Sequence, residues 1–309
     1  MYVYIEPLNQ LLETRSKNAL AKAIGINHGV LMMYLKSDYN GNVERINEKI
    51  KAYLEREANR GDNWTDQIVP TSTMRKIIQA IGMIHMMRKM GVVYGPAGLG
   101  KTESAKAYLN KNPGSFHLTA LPDSKSVAGV ITLIHFAMFK EEQRYSPRTA
   151  RRMVVDRLKG SDAMIIIDDA HKLTNEALEE VRAIHDASGC AFTLIGTEEI
   201  MNRLIDPRAG RILAQMSSRL PVRRVLPLQP SLADLKLVCE AYGVNDKEVI
   251  KRLSEKSKRG GLRLAVHQIK IARYIAKGQH VSLEHLMGAE VASGDYVTTA
   301  EENNNESAE

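Results

Sequence analysis

The hydrophobic pattern of this 309-residue chain changes character twice. Between residues 8 and 58 apolar side chains recur every three or four positions, the spacing of amphipathic helices. The stripe Val43, Ile46, Ile50, Tyr53 and Leu54 predicts one long helix over 43–58. A helix from about Ser72 then leads to a region where short apolar runs alternate with amphipathic stretches. That region predicts strands at 90–94, 116–121, 163–167, 192–196 and 222–226, with helices near 102–111, 125–140, 148–159, 175–187 and 198–216. Such alternation implies an α/β domain: a parallel sheet with helices on both faces and its functional loops at the carboxyl edge of the strands. Helical spacing alone returns at 232–242, 246–256, 262–276 and 282–287, which predicts a C-terminal all-helical lid.

The expected organisation is a small helix-turn-helix domain at 1–60, a linker at 61–71, the α/β core at 72–228, the lid at 229–292 and a disordered acidic tail at 293–309. The linker follows from a polar, turn-forming run, Asn59-Arg60-Gly61-Asp62-Asn63-Trp64-Thr65-Asp66. The tail follows from a composition of Asn and Glu that buries nothing. In the first domain Ala21 precedes Gly25 by four, and Ile24, Ile26, Leu31 and Tyr34 fall where two short helices clasp each other. Gly25 makes the turn and Asn27 caps the second helix. The outward positions of that helix are Asn27, His28, Gly29, Met32, Met33 and Lys36, few of which reach base edges with two hydrogen bonds. Asn27, His28 and Lys36 are therefore candidates for phosphate-dominated, weakly selective DNA contact. The same turn also serves a bundle that only packs or contacts protein.

Composition narrows this picture. With 44% hydrophobic and 26% charged residues the chain reads as globular. Its two cysteines, Cys190 and Cys239, lie in apolar surroundings, which predicts a reducing compartment and neither a disulfide framework nor a metal site. The apolar runs at 81–90 and 127–139 are broken by His85, Arg88, Lys89 and His135, so neither spans a membrane. No secretory pattern opens the chain, and a cytoplasmic protein is expected. Formal net charge is +7, and because residues 301–309 hold four acids and no base, the preceding 300 carry +11. That excess suits an anionic partner, nucleic acid being the commonest, although solvated lysine faces give the same sum. Arg144, Arg148, Arg151, Arg152, Arg157 and Lys159 face a single acid, Asp156, along one helical segment. The first four are candidate DNA contacts.

The chemistry is concentrated at Gly95-Pro96-Ala97-Gly98-Leu99-Gly100-Lys101-Thr102, which fits G-x-x-x-x-G-K-[ST] between a predicted strand and a helix opening at Glu103. Glycines let the backbone present N–H groups to phosphate oxygens, Lys101 reaches the β/γ-phosphates and Thr102 holds Mg²⁺. Gly95 to Glu103 is thus the candidate nucleotide-binding segment, with ATP and Mg²⁺ as the expected ligands. The apolar strand Ala163-Met164-Ile165-Ile166-Ile167 ends in Asp168-Asp169, which supplies one carboxylate for the metal, Asp168, and one to orient water, Asp169. Thr197, after the strand at 192–196, sits where a polar group senses the γ-phosphate or water; capping the next helix is its alternative role. Arg219, before the last strand, can point into a neighbouring subunit's nucleotide, and Arg263, opening a lid helix, can contact the γ-phosphate.

In this order, the phosphate loop, acidic strand end, polar strand end, edge arginine and lid arginine resemble AAA+ ATPases over about residues 70–290. The module placed before the ATPase, together with Tyr39-Asn40-Gly41-Asn42-Val43-Glu44-Arg45, further resembles the B proteins of Mu-type transposable phages. These are target-DNA-binding ATPases of transposition. The resemblance implies a P-loop AAA+ fold and assembly of a homo-oligomer, a helical filament or ring, on double-stranded DNA with little sequence preference. It also implies recruitment and activation of a transposase. Lys101, Thr102 and Asp168 match its nucleotide and metal positions, Thr197 its first sensor, Arg219 its intersubunit finger and Arg263 its second sensor; Arg211 and Arg223 compete with Arg219. The water-orienting acid is commonly Glu and the first sensor often Asn, so Asp169 and Thr197 imply slow hydrolysis. A helicase loader of similar build and a regulator in which nucleotide only stabilises the fold are the competing readings.

Overall fold

A computed structural model describes residues 2–60, 68–141, 145–205 and 219–294. The chain falls into two compact units, within residues 1–66 and 67–309. In the first, α1 (Ile5–Leu12), α2 (Lys17–Ile24), α3 (His28–Leu35) and α4 (Val43–Arg60) enclose a core of Leu8, Leu20, Leu31, Tyr34 and Ile50. Ser16 and Asn27 accept the N–H groups of Ala19 and Gly29, starting α2 and α3. Gly25 ends α2 in the left-handed region, φ 77°, which turns the chain at once into α3. The Tyr34 hydroxyl bonds to Asn47 and Arg15 pairs with Glu57 at 2.6 Å, tying α4 to the rest.

The second unit is built on β1 (Met90–Tyr94), β2 (Phe116–Thr119), β3 (Met164–Asp168), β4 (Ala191–Gly196) and β5 (Val222–Val225). Their order is β2-β3-β4-β1-β5 and every pairing is parallel. The strand expected to reach residue 121 stops at Thr119, with one further ladder bond from Ala120 N–H to the Asp168 carbonyl, 2.8 Å. On one face α5 (Ser72–Met87) and α6 (Lys101–Asn110) bury Ile77, Ile81 and Ala105 against Val93, Ile166 and Ile195. On the other, α7 (Val127–Phe139), α8 (Pro147–Leu158), α9 (Asn175–Ser188) and α10 (Glu198–Ile205) bury Ile134, Val154 and Val181 against Val92, Ile165 and Leu194. Both faces are covered, so the central strands β3 and β4 are buried at every position rather than alternating. Of the helix expected at 198–216, residues 206–216 lie outside the described residues.

The lid comprises α11 (Leu232–Ala241), α12 (Lys247–Ala276) and α13 (Leu283–Ser293). Two separate helices were expected at 246–256 and 262–276. Both are present within α12: Gly261, at φ 65° and ψ −167°, kinks it where the second was expected to begin, and the first runs on past residue 256. The last helix also runs past the expected residue 287 to Ser293, closed by Gly294. Glu290 is fully buried and is compensated by a two-pronged Arg252 pair at 2.7 and 2.6 Å.

Asp234 of α11 ties this lid to the start of α5. Its carboxylate, 0% exposed, accepts from Ser72 N–H and hydroxyl, 2.6 and 3.1 Å, and from Thr73 N–H and hydroxyl, 3.2 and 2.7 Å. Burial pushes its pKa up, but the bonds from Thr73 and Ser72 outweigh burial and hold it below the usual carboxylate range. A depressed folded pKa stabilises the protein above the unfolded value, about 3.9, and that stability is lost as pH falls through the folded one. Asp234→Asn should therefore cost about 2 kcal/mol at pH 7. Urea denaturation should show the deficit shrinking in acid; an equal deficit at both pH values would contradict the ionic capping role.

Candidate functional site

The chain leaves β1 at Tyr94 and enters α6 at Lys101 through a loop in which Gly98 and Gly100 both have φ 81°. Left-handed glycines on either side of Leu99 let successive backbone N–H groups form an anion-binding concavity, and the positive end of the α6 dipole lies behind it. Leu99, 1% exposed, anchors the loop in the core. Lys101 Nζ donates to the carbonyls of Gly95 and Pro96 at 2.8 and 2.7 Å. Burial lowers its pKa; Asp168 and Asp169 oppose the shift and Arg263 adds to it. Two cations thus converge on one loop, an arrangement that a polyphosphate relieves.

Asp168, at the end of β3, accepts the Thr102 hydroxyl on Oδ2 at 2.5 Å and the Asp169 N–H on Oδ1 at 2.9 Å. His117 Nε2, from β2, lies 3.6 Å from Oδ2. Burial pushes this carboxyl up, but the approach of His117, the Thr102 hydroxyl and the Asp169 N–H together hold it below the usual range. A hydroxyl and an ionised carboxylate side by side are the hard oxygen donors that fit Mg²⁺. Asp169 follows in a left-handed conformation, φ 53°, with its carboxylate on Lys172 Nζ at 2.7 Å.

Strand order brings Thr197 to the same edge. β4 lies between β3 and β1, and Gly95 N–H donates to the Gly196 carbonyl at 3.2 Å, so Thr197 opens beside the loop. From the lid, Arg263 N–H donates to the Gly98 carbonyl at 3.3 Å. Lys101, Thr102, Asp168, Asp169, Thr197 and Arg263 therefore share one edge. Glu103 is turned to Lys106, 2.7 Å away on the exposed side of α6.

Arg219 is not with them. It stands three residues before β5, hence at the amino edge of the sheet, and pairs with Asp186 at 2.5 Å with 48% of its side chain exposed. Arg182 holds the other oxygen of Asp186. Of its competitors, Arg223 donates to the Leu220 carbonyl at 3.2 Å, and Arg211 lies outside the described residues. On α8, Arg148 and Arg152 are exposed and have no ion-pair partner among the described residues, whereas Arg151 is held by Glu180 at 2.5 Å. Arg144 lies outside the described residues. In the first unit His28 and Lys36 are exposed, and Asn27 commits its carbonyl oxygen to the cap. Sequence reasoning missed His117, Lys172 and Asp186; the one available signal was His117's place near the end of a strand.

Residues 84–204 match the family model described as an AAA domain, and residues 218–291 match that of the Mu B transposition protein, C terminal. The chain is an AAA+ ATPase that resembles the Mu B transposition protein. The Mu-like prophage FluMu DNA transposition protein B of Haemophilus influenzae is 26% identical over 250 residues, 78% of this chain and 85% of that protein. The ATP-dependent target DNA activator B of Escherichia phage Mu is 26% identical over 274 residues, 87% and 88% of the two chains. Among solved structures, the Thermotoga maritima RuvB Holliday junction branch migration motor aligns at 18% identity and TM-score 0.45, over 71% of this chain and 68% of that one. The replication initiator DnaA bound to AMPPCP and single-stranded DNA aligns at 16% and 0.48, over 74% and 66%.

In this ATPase the Arg219–Asp186 pair is half exposed, a setting in which ion pairs contribute little. Arg219→Gln, which leaves the Arg182–Asp186 pair in place, should cost no more than about 1 kcal/mol in urea denaturation. A loss of several kcal/mol would mean that Arg219 is a structural anchor rather than a side chain free to leave its partner.

Proposed function

We propose that this ATPase binds double-stranded DNA with little sequence preference, assembles on it with ATP as a helical filament or ring, and recruits or activates a transposase. Segment 95–103 holds the nucleotide, with Lys101 on its phosphates. Thr102 and Asp168 hold Mg²⁺, which supplies charge neutralisation to the phosphoryl group when bound. Asp169 orients water, Thr197 senses the phosphate or water, and Arg263 contacts the phosphates from the lid. The observation that carries the reading is the division of arginines between two sheet edges. Arg263 is held to the phosphate loop by its N–H bond to Gly98, while Arg219 pairs with Asp186 at the opposite edge, on a surface that a neighbouring copy can meet. A site finished by a second copy makes hydrolysis and assembly one event. The relatives described as ATP-dependent target DNA activators support the DNA and transposition part of the reading.

Lys101→Ala is expected to abolish ATP binding, ATP-driven assembly and tight DNA binding. Asp169→Ala should bind ATP, fail to hydrolyse it and remain assembled. Calorimetry, phosphate release and electron microscopy on duplex DNA with ATP, ADP or no nucleotide check both; filaments that form equally without nucleotide would overturn the assignment. Hydrolysis itself should be slow and rise on DNA, because the Asp169 carboxylate is one methylene shorter than the usual Glu.

Arg148 and Arg152 are the proposed duplex contacts of α8, with Arg144 beside them in sequence. Replacing both by alanine should weaken DNA binding and reduce the slope of log affinity against log salt by about 0.9 for each phosphate no longer neutralised. Arg151→Ala, which breaks the Glu180 pair instead, should change that slope much less. Titrations at several salt concentrations separate the outcomes, and an unchanged slope in the double variant would remove α8 from the DNA surface.

A further inference from the structure

Gly98 occupies a position where the phosphate-cradling pattern accepts any residue. Its φ of 81° already favours glycine, and the lid adds a second, steric reason. A Cβ on Gly98 would lie 2.5 Å from the Gly260 carbonyl oxygen and 3.2 Å from Gly261 Cα. A Cβ on Gly261 would lie 2.9 Å from the carbonyl carbon and oxygen of Gly98 and 3.0 Å from the Ala97 carbonyl oxygen. The obstructing atoms are backbone, so none can swing aside. Gly261 also has φ 65° and ψ −167°, a conformation essentially confined to glycine. Two residues on, the Arg263 N–H bonds to the Gly98 carbonyl at 3.3 Å, and the Arg263 charge is felt at Lys101.

We propose that Gly98 and Gly261 are positioning residues, whose backbone-to-backbone contact seats the lid on the phosphate loop and sets Arg263 beside Lys101 for the phosphates of bound ATP. With no side chain between them, a shift of the Gly98 carbonyl as the loop closes on phosphate passes directly to the Arg263 amide. The contact makes the angle of α12 depend on the loop. Close packing of this kind transmits small displacements because it has no slack to absorb them. The inference rests on reading residues 95–102 as the phosphate loop.

The test is Gly261→Ala, with Gly278→Ala as its control. Gly278 also has positive φ, 88°, but a Cβ there meets nothing within 4 Å. Gly261→Ala should weaken ATP binding at least tenfold by calorimetry, and Gly278→Ala should leave it unchanged. If Gly261 acts through Arg263, the double variant Gly261→Ala/Arg263→Ala should lose no more affinity than the worse single one. Full affinity in Gly261→Ala, an equal loss in Gly278→Ala, or additive losses in the double variant each overturn the proposal. Should Gly261→Ala not fold, hydrogen exchange on the unaltered protein decides. ATP should change the exchange rate of the Arg263 amide at least tenfold, and an unchanged rate overturns the proposal. Lys101→Ala tests the phosphate-loop reading apart from this: ATP binding that survives there sinks that reading, whatever the lid does.

Discussion

The Thr102 hydroxyl and the Asp168 carboxylate meet at 2.5 Å across 66 residues of chain, and this contact joins the two halves of the site. It depends on the sheet being parallel. A parallel strand delivers its carboxyl end to the same edge as its neighbours, so the loop after β1, the acids after β3 and Thr197 after β4 arrive together. The same contact accounts for the electrostatics. Asp168 is buried, and the donors gathered around it keep the carboxylate ionised. Hydrophobic packing on both faces holds the strands that carry these groups, so the polar edge is supported by an apolar interior.

Two of the lid's attachments to the core, among the described residues, have opposite chemistry. At Asp234 a buried carboxylate gathers four donors from the start of α5, an attachment strong in energy and directed in geometry. At Gly261 the attachment is a close approach of two backbones beside the phosphate loop. A fixed anchor at one end and a slack-free contact at the other describe a lever whose working end lies at the nucleotide site. The Arg252–Glu290 pair stiffens the body of that lever between α12 and α13.

Positive charge is likewise divided by place. Lys101 and Arg263 crowd together at the carboxyl edge, Arg219 waits on Asp186 at the amino edge, and Arg148 and Arg152 stand exposed on α8. Each group suits a different anionic partner in the proposed function: the nucleotide of this chain, the nucleotide of a neighbour, and duplex phosphate.

The apolar runs and their spacing were sufficient to determine five strands, the helices between them and the parallel α/β class, because a strand buried on both faces has a compositional signature of its own. The glycine-lysine loop and the acids ending β3 were legible for the same reason: each motif is local, and its chemistry is written in adjacent residues. What the tertiary structure decided are relations between distant parts. β4 enters between β3 and β1, Arg151 finds Glu180, Arg219 finds Asp186, and His117 comes to Asp168. None of these partners is near in sequence, and a surface arginine looks alike whether it is free or paired. Gly260-Gly261 shows the limit most plainly. In sequence the pair reads as the opening of a lid helix, and Gly261 does kink the chain there, but its close approach to the Gly98 backbone, more than 160 residues away, is visible only in the structure.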